Sequence, residues 1–229
     1  ILDMSNGWYK CTITGTAIAT TSGNIAAVLI SASTSVRLES ITLSTSVYIY
    51  GAQVELGSYS TSYIPTSGTT VTRLADTSAT TGLSDVINST EGVLYAEIAG
   101  LTDDGERRYI SLNDGTANND VRLYLSLNGY ISVLSKVSGT TQVFLETNAY
   151  TQTDYNKVAF KYKENDFALW INGVKIQTDT SGLVNASGSL NRLNFDRSSG
   201  TLPFYGKVKT VAVFKEALTD TELATLTTI

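Results

Sequence analysis

Carboxylates, tyrosines and two tryptophans are what this chain offers for chemistry, and histidine is absent from all 229 residues. Without an imidazole there is no Ser/His triad, no histidine general base and no imidazole metal site. Two carboxylates about 5 Å apart would suit a retaining glycosidase, which on one strand means acids at alternate positions facing one cleft. No such strand exists. Glu97 and Glu146 each stand alone in their runs, and Asp103-Asp104 lies in a turn where adjacent side chains diverge. Tyrosine as the acid of a lyase stays open, but no constellation supports it, so the chain is not expected to be an enzyme. Cys11 is the single cysteine, which rules out an intrachain disulfide and reads as a small buried strand hydrophobe. The oxygen-rich runs at Asp103, Asp104 and Asp114 and at Asn118, Asn119 and Asp120 lack calcium-ligand spacing and read as turn formers at loop tips. No metal or other cofactor is expected.

A polar, uncharged partner suits this composition, and a sugar, as one such partner, would stack on aromatic faces while Asp, Asn or Arg meets its hydroxyls. Trp170 is the first candidate, and Tyr130, Asp196, Arg197 and Tyr205 are its company. Each has a structural alternative. Trp170 can be buried under a loop or the terminal helix, Asp196-Arg197 can be an ion pair at a strand end, and the tyrosines can be strand packing.

The element that positions Trp170 is a hairpin. Asn172-Gly173 joins two apolar runs, and a two-residue loop with both central φ values positive favours that dipeptide. Phe167, Leu169 and Ile171 then face one way and Ala168 and Trp170 the other. Val158 to Lys163 alternates too and supplies the neighbouring strand. Further strands are predicted over Gly92 to Ala99, Arg108 to Asn113, Val121 to Leu127, Tyr130 to Lys136, Gln142 to Glu146, Ser189 to Phe195 and Tyr205 to Phe214. Asn128-Gly129 marks a second tight hairpin. Tyr109-Ile-Ser-Leu-Asn113 echoes Tyr124-Leu-Ser-Leu-Asn128, but one echo is not a repeat. Thr219-Asp-Thr-Glu222 fits a helix capping box with Leu218 and Leu223 as its staple.

Charged residues make up 16% of the chain, below the usual quarter or so, and Ser, Thr, Gly and Tyr are abundant: the composition of an all-β protein. The net charge of −5 offers no basic stripe for nucleic acid. The longest apolar run, Ile25 to Ile30, is far short of the roughly 20 residues of a spanning helix, so no membrane insertion is expected. Three organisational units emerge: residues 1–76 with about four strands (among them Trp8 to Thr14, Ile25 to Ser31 and Val47 to Val54), a Ser/Thr/Gly-rich connection ending in a linker over 77–90, and a two-sheet sandwich over 91–229. Half a sandwich in the first unit leaves an apolar face uncovered, which predicts a homo-oligomer. The chain opens on Ile1 and is expected to be part of a longer protein.

Asn6-Gly-Trp-Tyr-Lys10, Gly51-Ala-Gln-Val-Glu-Leu-Gly57 and Thr61-Ser-Tyr-Ile-Pro-Thr66 resemble the last part of a jelly roll like those of carbohydrate-binding modules in phage tail and virion proteins. Leu169-Trp-Ile-Asn-Gly-Val174, Leu193-Asn-Phe-Asp-Arg-Ser198, Phe204-Tyr-Gly-Lys-Val208 and Ala217-Leu-Thr-Asp-Thr-Glu-Leu223, in that order, resemble the concanavalin A-like lectin or laminin G-like fold found at the carboxy termini of bacteriophage tail fibres. The resemblance implies an extracellular virion adhesin that recognises a bacterial surface glycan, meets other virion subunits and assembles as a trimer. It also implies two rivals: a purely architectural spacer, and a polysaccharide-cleaving enzyme. Glycanases of this fold carry a Glu-x-Asp-x-x-Glu cluster that this chain lacks.

Overall fold

The structure, a computed structural model, describes residues 1–15, 34, 47–55, 60, 63–69, 71, 78–101, 105–198 and 200–229. The chain divides into two compact units, Ile1–Leu74 and Ala75–Ile229. Among the described residues no helix is long and apolar enough to cross a membrane.

In the first unit, strands β1 (Leu2–Asp3) and β2 (Tyr9–Lys10) pair antiparallel. Ser5, Asn6 and Gly7 turn the chain with φ of 73°, 55° and 80°. The strand expected over Trp8 to Thr14 is thus reduced to Tyr9–Lys10, and the one over Val47 to Val54 does not form. An alternating run becomes a strand only when a neighbour takes its backbone hydrogen bonds and covers one face. Val47, Tyr48, Ile49, Tyr50 and Val54 have no such neighbour among the described residues and are 59–83% exposed. Cys11 is exposed, not buried, and among the described residues no sheet lies beneath its run. The expected strand over Ile25 to Ser31 falls outside the described residues.

The second unit is built from β3 (Ala79–Thr81), β4 (Glu91–Gly100), β5 (Arg108–Asn113), β6 (Asp120–Leu125), β7 (Ile131–Val137), β8 (Thr140–Thr147), β9 (Asn156–Lys163), β10 (Phe167–Ile171), β11 (Val174–Asp179), β12 (Arg192–Asn194), β13 (Gly206–Phe214) and helix α1 (Asp220–Thr227). Every strand predicted between Gly92 and Phe214 is present. The sandwich starts before Glu91, however: β3, inside the stretch read as a linker, pairs with β12. One sheet has the order β11-β10-β9-β4-β13 and the other β3-β12-β5-β6-β7-β8, and both are antiparallel throughout.

Alternation sorts the side chains. Leu94, Ile98, Phe160, Phe167 and Leu169 of the five-stranded sheet meet Ile110, Leu112, Leu123, Val133 and Leu145 of the six-stranded one in a single core. Tyr162 is fully buried there with its hydroxyl on the Asn88 carbonyl at 2.8 Å, and burial pushes its phenol above the ordinary range. The packing leaves no room at Gly92, where a Cβ would come within 2.4 Å of the Phe214 carbonyl oxygen and 2.6 Å of the Tyr162 hydroxyl.

The Asn172-Gly173 turn forms as its chemistry demands, with φ of 50° and 82°. Asn172 also ties the turn to β9, accepting from the Lys157 amide and donating to Asn156 Oδ1, both at 2.9 Å. Asn128 and Gly129 take positive φ as well, but their loop is a wider one, because Leu127–Gly129 coils into a 3-10 turn between Leu125 and Ile131. The capping box is complete: Thr219 Oγ1 accepts from the Glu222 amide and Glu222 Oε2 accepts from the Thr219 amide.

Candidate functional site

Each sheet has an outer face, and the two differ in chemistry. On the five-stranded sheet, Val93, Tyr95, Ala159, Ala168 and Trp170 project outward and are sealed by Leu223, Leu218, Ala224 and Leu226 in and around α1. Trp170 is only 6% exposed. Lys175 lies above its ring, 5.4 Å from the centroid, and is itself bonded to Asp220 at the start of the helix. The ring that led the sequence-based site is therefore the seat of the terminal helix, because the hairpin carries apolar residues on both faces and the second face also needs cover.

The outer face of the six-stranded sheet is polar and aromatic. Period-2 alternation points Tyr109, Ser111 and Asn113 of β5, Asp120, Arg122 and Tyr124 of β6, and Ser132, Leu134 and Lys136 of β7 away from the core. Tyr109 and Tyr124 sit opposite each other in register and stack, with centroids 4.5 Å apart and planes inclined by 19°. The Arg122 guanidinium carbon lies 5.6 Å and 6.0 Å from the two ring centroids. Its Nη1 donates to Asp120 Oδ2 at 3.2 Å. Burial lifts the Asp120 carboxyl to about 6, against the pull of Arg122, Lys136, Arg197 and the Ser198 hydroxyl.

The segment that leaves β12 crosses this face. The Asp196 carbonyl accepts from Ser111 Oγ at 2.9 Å, and its carboxylate accepts from Asn194 Nδ2 at 3.3 Å. Leu202 packs on Tyr109, Tyr124 and Leu134. Two of the five candidate residues, Asp196 and Arg197, are thus brought to the Arg122 cluster. Tyr205 stands 52% exposed at the far end of the same segment. Tyr130 is half-buried in the β6–β7 loop, its carbonyl accepting from the Ser126 amide and from Gln152. Neither tyrosine packs into the cluster, and Trp170 belongs to the other sheet.

The residues of this face that the sequence did not single out as a site are Tyr109, Asp120, Arg122 and Tyr124. Their signal was available in the alternation of β5 and β6, and in the Tyr109/Tyr124 echo, which marks two rings stacked across a ladder. Asp120, read as a loop-tip turn former, begins a strand and is fully buried. Asp114 does serve a turn: hydrogen bonds from Thr116 and Asn119 hold its carboxyl below the usual range even though burial works to raise it. Asp103 and Asp104 lie outside the described residues, and among the described residues no cluster of three or more Asp, Glu, His or Cys could hold a metal ion. Glu97 and Glu146 belong to different sheets, bonded to Lys209 and Ser132 respectively.

Residues 94–224, more than half of the chain, match the family model of the concanavalin A-like lectin/glucanases superfamily, in its laminin G division. The chain belongs to this superfamily. Solved structures agree on the fold. The CBM40 of the Ruminococcus gnavus IT-sialidase, bound to alpha2,3 sialyllactose, superposes with a TM-score of 0.55 at 20% identity, covering 65% of this chain and 91% of that one. A leech intramolecular trans-sialidase gives 0.51 at 19% identity over 62% of this chain and 24% of that one. The K499G mutant of the NanB sialidase from Streptococcus pneumoniae gives 0.50 at 16% identity over 65% of this chain and 26% of that one. At such identities the likeness is one of fold. No curated protein sequence matches the chain. Within this lectin-like sandwich, the outer face of the six-stranded sheet carries a hydrogen-bonded polar and aromatic row, while the other outer face carries an apolar patch beneath α1 flanked by the ion pairs Lys163–Glu91 and Lys209–Glu97.

Proposed function

We propose that the chain is a non-catalytic module that recognises a saccharide through the outer face of its six-stranded sheet. The observation that carries this reading is the contrast between the two outer faces. One carries an apolar patch closed by α1, while the other sets Ser, Asn, Arg, Tyr and Lys side chains on a rigid ladder that is covered over β5 and β6 and opens toward β8, where Phe144 is exposed, the mix of polar and aromatic groups that sugar recognition requires. A fold relative bound to sialyllactose supports it. Bond cleavage is disfavoured, because the strand carboxylates Glu97 and Glu146 lie on different sheets and cannot flank one bond, and Glu91, on the strand of Glu97, is paired with Lys163.

The finer reading is adhesion at a bacterial surface by a phage tail fibre or similar virion protein, with the chain as a homo-oligomer, a trimer by that resemblance. The exposed Val47, Tyr48, Ile49 and Tyr50 of the first unit are the kind of apolar surface that a second copy covers. Copies displayed together would raise avidity by roughly 10² to 10⁴ without new contacts. A spacer that contacts other virion subunits is the second reading, favoured by the burial of the Arg122 cluster beneath Leu202.

A glycan array probed with the full chain in multivalent form should retain a defined subset of glycans, and the same glycans should show no new reducing ends after incubation. No retained glycan at high valency favours the spacer. Light scattering during size exclusion should give the mass of three chains. A monomer with a folded first unit contradicts the oligomer.

A further inference from the structure

The cover over the outer face changes from strand to strand. On β5 and β6, beneath Asp196, Ser198 and Leu202, the outward side chains are almost fully buried. On the edge strand β8 the cover ends. Phe144 is 48% exposed, while its neighbours Val143 and Leu145 are buried in the core. In register, Phe144 stands opposite Leu134 and Leu134 opposite Arg122, so this ring forms the open end of a row that crosses the sheet. A large exposed ring on an edge strand invites wrong pairing, so its position asks for an occupant.

Glu146, two residues further on the same face, says what that occupant is. Its Oε2 accepts from Ser132 Oγ at 3.1 Å, and Ser132 stands opposite Tyr124 in register. The Glu146 backbone amide donates to Gln177 Oε1 of the opposite sheet at 3.0 Å. The carboxylate is therefore held by Ser132 of the neighbouring strand while Gln177 anchors the main chain that carries it, and a carboxylate has acceptor capacity well beyond one hydrogen bond. Residues two apart on a strand are spaced by roughly 7 Å, about the reach from the face of a sugar ring to the hydroxyls on its edge.

We propose that Phe144 and Glu146 form a subsite for a neutral hexopyranose, its apolar C–H face on the Phe144 ring and two neighbouring hydroxyls donating to the Glu146 carboxylate. This rests on the saccharide reading above and narrows its ligand class, since a fixed carboxylate repels an acidic sugar at this position and accepts from a diol. Lys136 on β7 borders the same patch.

The test uses the full chain in multivalent form against lactose, maltotriose, cellotriose, chitotriose and sialyllactose. Wild type is expected to bind at least one neutral member. Phe144→Ala should weaken that binding at least tenfold and Glu146→Gln at least fivefold, while Phe144→Tyr stays within twofold, all with unchanged melting temperatures because both side chains lie at the surface. Wild-type binding that Phe144→Ala leaves within twofold overturns the subsite and leaves the saccharide reading intact. Binding to sialyllactose alone, through a route that Glu146→Gln does not weaken, overturns the neutral-sugar assignment. No binding to any member overturns both.

Discussion

Replacing Arg122 by methionine lowers the stability of the sandwich unit by about 3 kcal/mol at pH 7.5, and by clearly less at pH 5. Methionine keeps most of the apolar stem over Tyr109 and Tyr124 but removes the charge bonded to Asp120. Breaking one side of a buried pair leaves the other charge uncompensated, and that penalty exceeds the net worth of the pair. Asp120 sets the pH dependence. Its folded value of about 6 stands above the ordinary 3.8, so between those values the folded chain binds more protons than the unfolded one. The contribution of this group is most favourable below pH 4 and is lost as pH rises through 6. Removing Arg122 raises Asp120 further, so the deficit of the variant widens from pH 5 to pH 7.5. Urea unfolding at both values measures this, with Asp120→Asn expected to flatten the wild-type profile. An equal deficit at the two pH values would show that Arg122 does not act through an ionised Asp120.

Trp170→Ala should cost about 3–5 kcal/mol, the range for deleting a buried large aromatic. The ring is packed with Val93, Tyr95, Ala159, Ala168 and Leu223, so its loss opens a cavity under α1 and withdraws the surface on which Lys175 lies. Amides of Asp220–Thr227 should lose hydrogen-exchange protection first, since the helix is short and depends on this packing more than on its own propensity. Saccharide binding by the folded fraction should be unchanged. A stable, protected variant that has lost glycan binding would return Trp170 to the ligand and contradict the placement of the site.

The two variants mark where the sequence was legible. Asn172-Gly173 admits one turn, Thr219 and Glu222 one cap, and the alternation from Gly92 to Phe214 one pairing of apolar faces, so the sandwich and its helix could be read residue by residue. Val47 to Val54 alternates just as well and forms no strand, because alternation states a need for a neighbour and does not supply one. Trp170 lies under α1 for a related reason. A strand with apolar residues on both faces predicts cover on both, and the α1 staple residues Leu218 and Leu223 were the sign of what provides it. The Arg122 cluster was hidden because its members are spread over β5, β6 and the segment after β12, which only strand order brings together. Asp120 shows the same limit: beside Asn118 and Asn119 it reads as part of a turn, and only the ladder with Asn113 and Lys136 reveals it as a buried strand residue.

The central claim is that a saccharide is held by the outer face of the six-stranded sheet. Amide-resolved NMR of the full chain, titrated with the tightest glycan from the array, tests it most directly. The account predicts shift changes concentrated on β6, β7 and β8, with Phe144 and Glu146 among the largest. Changes confined to the first unit, or to β9, β10, β11 and α1, would contradict it.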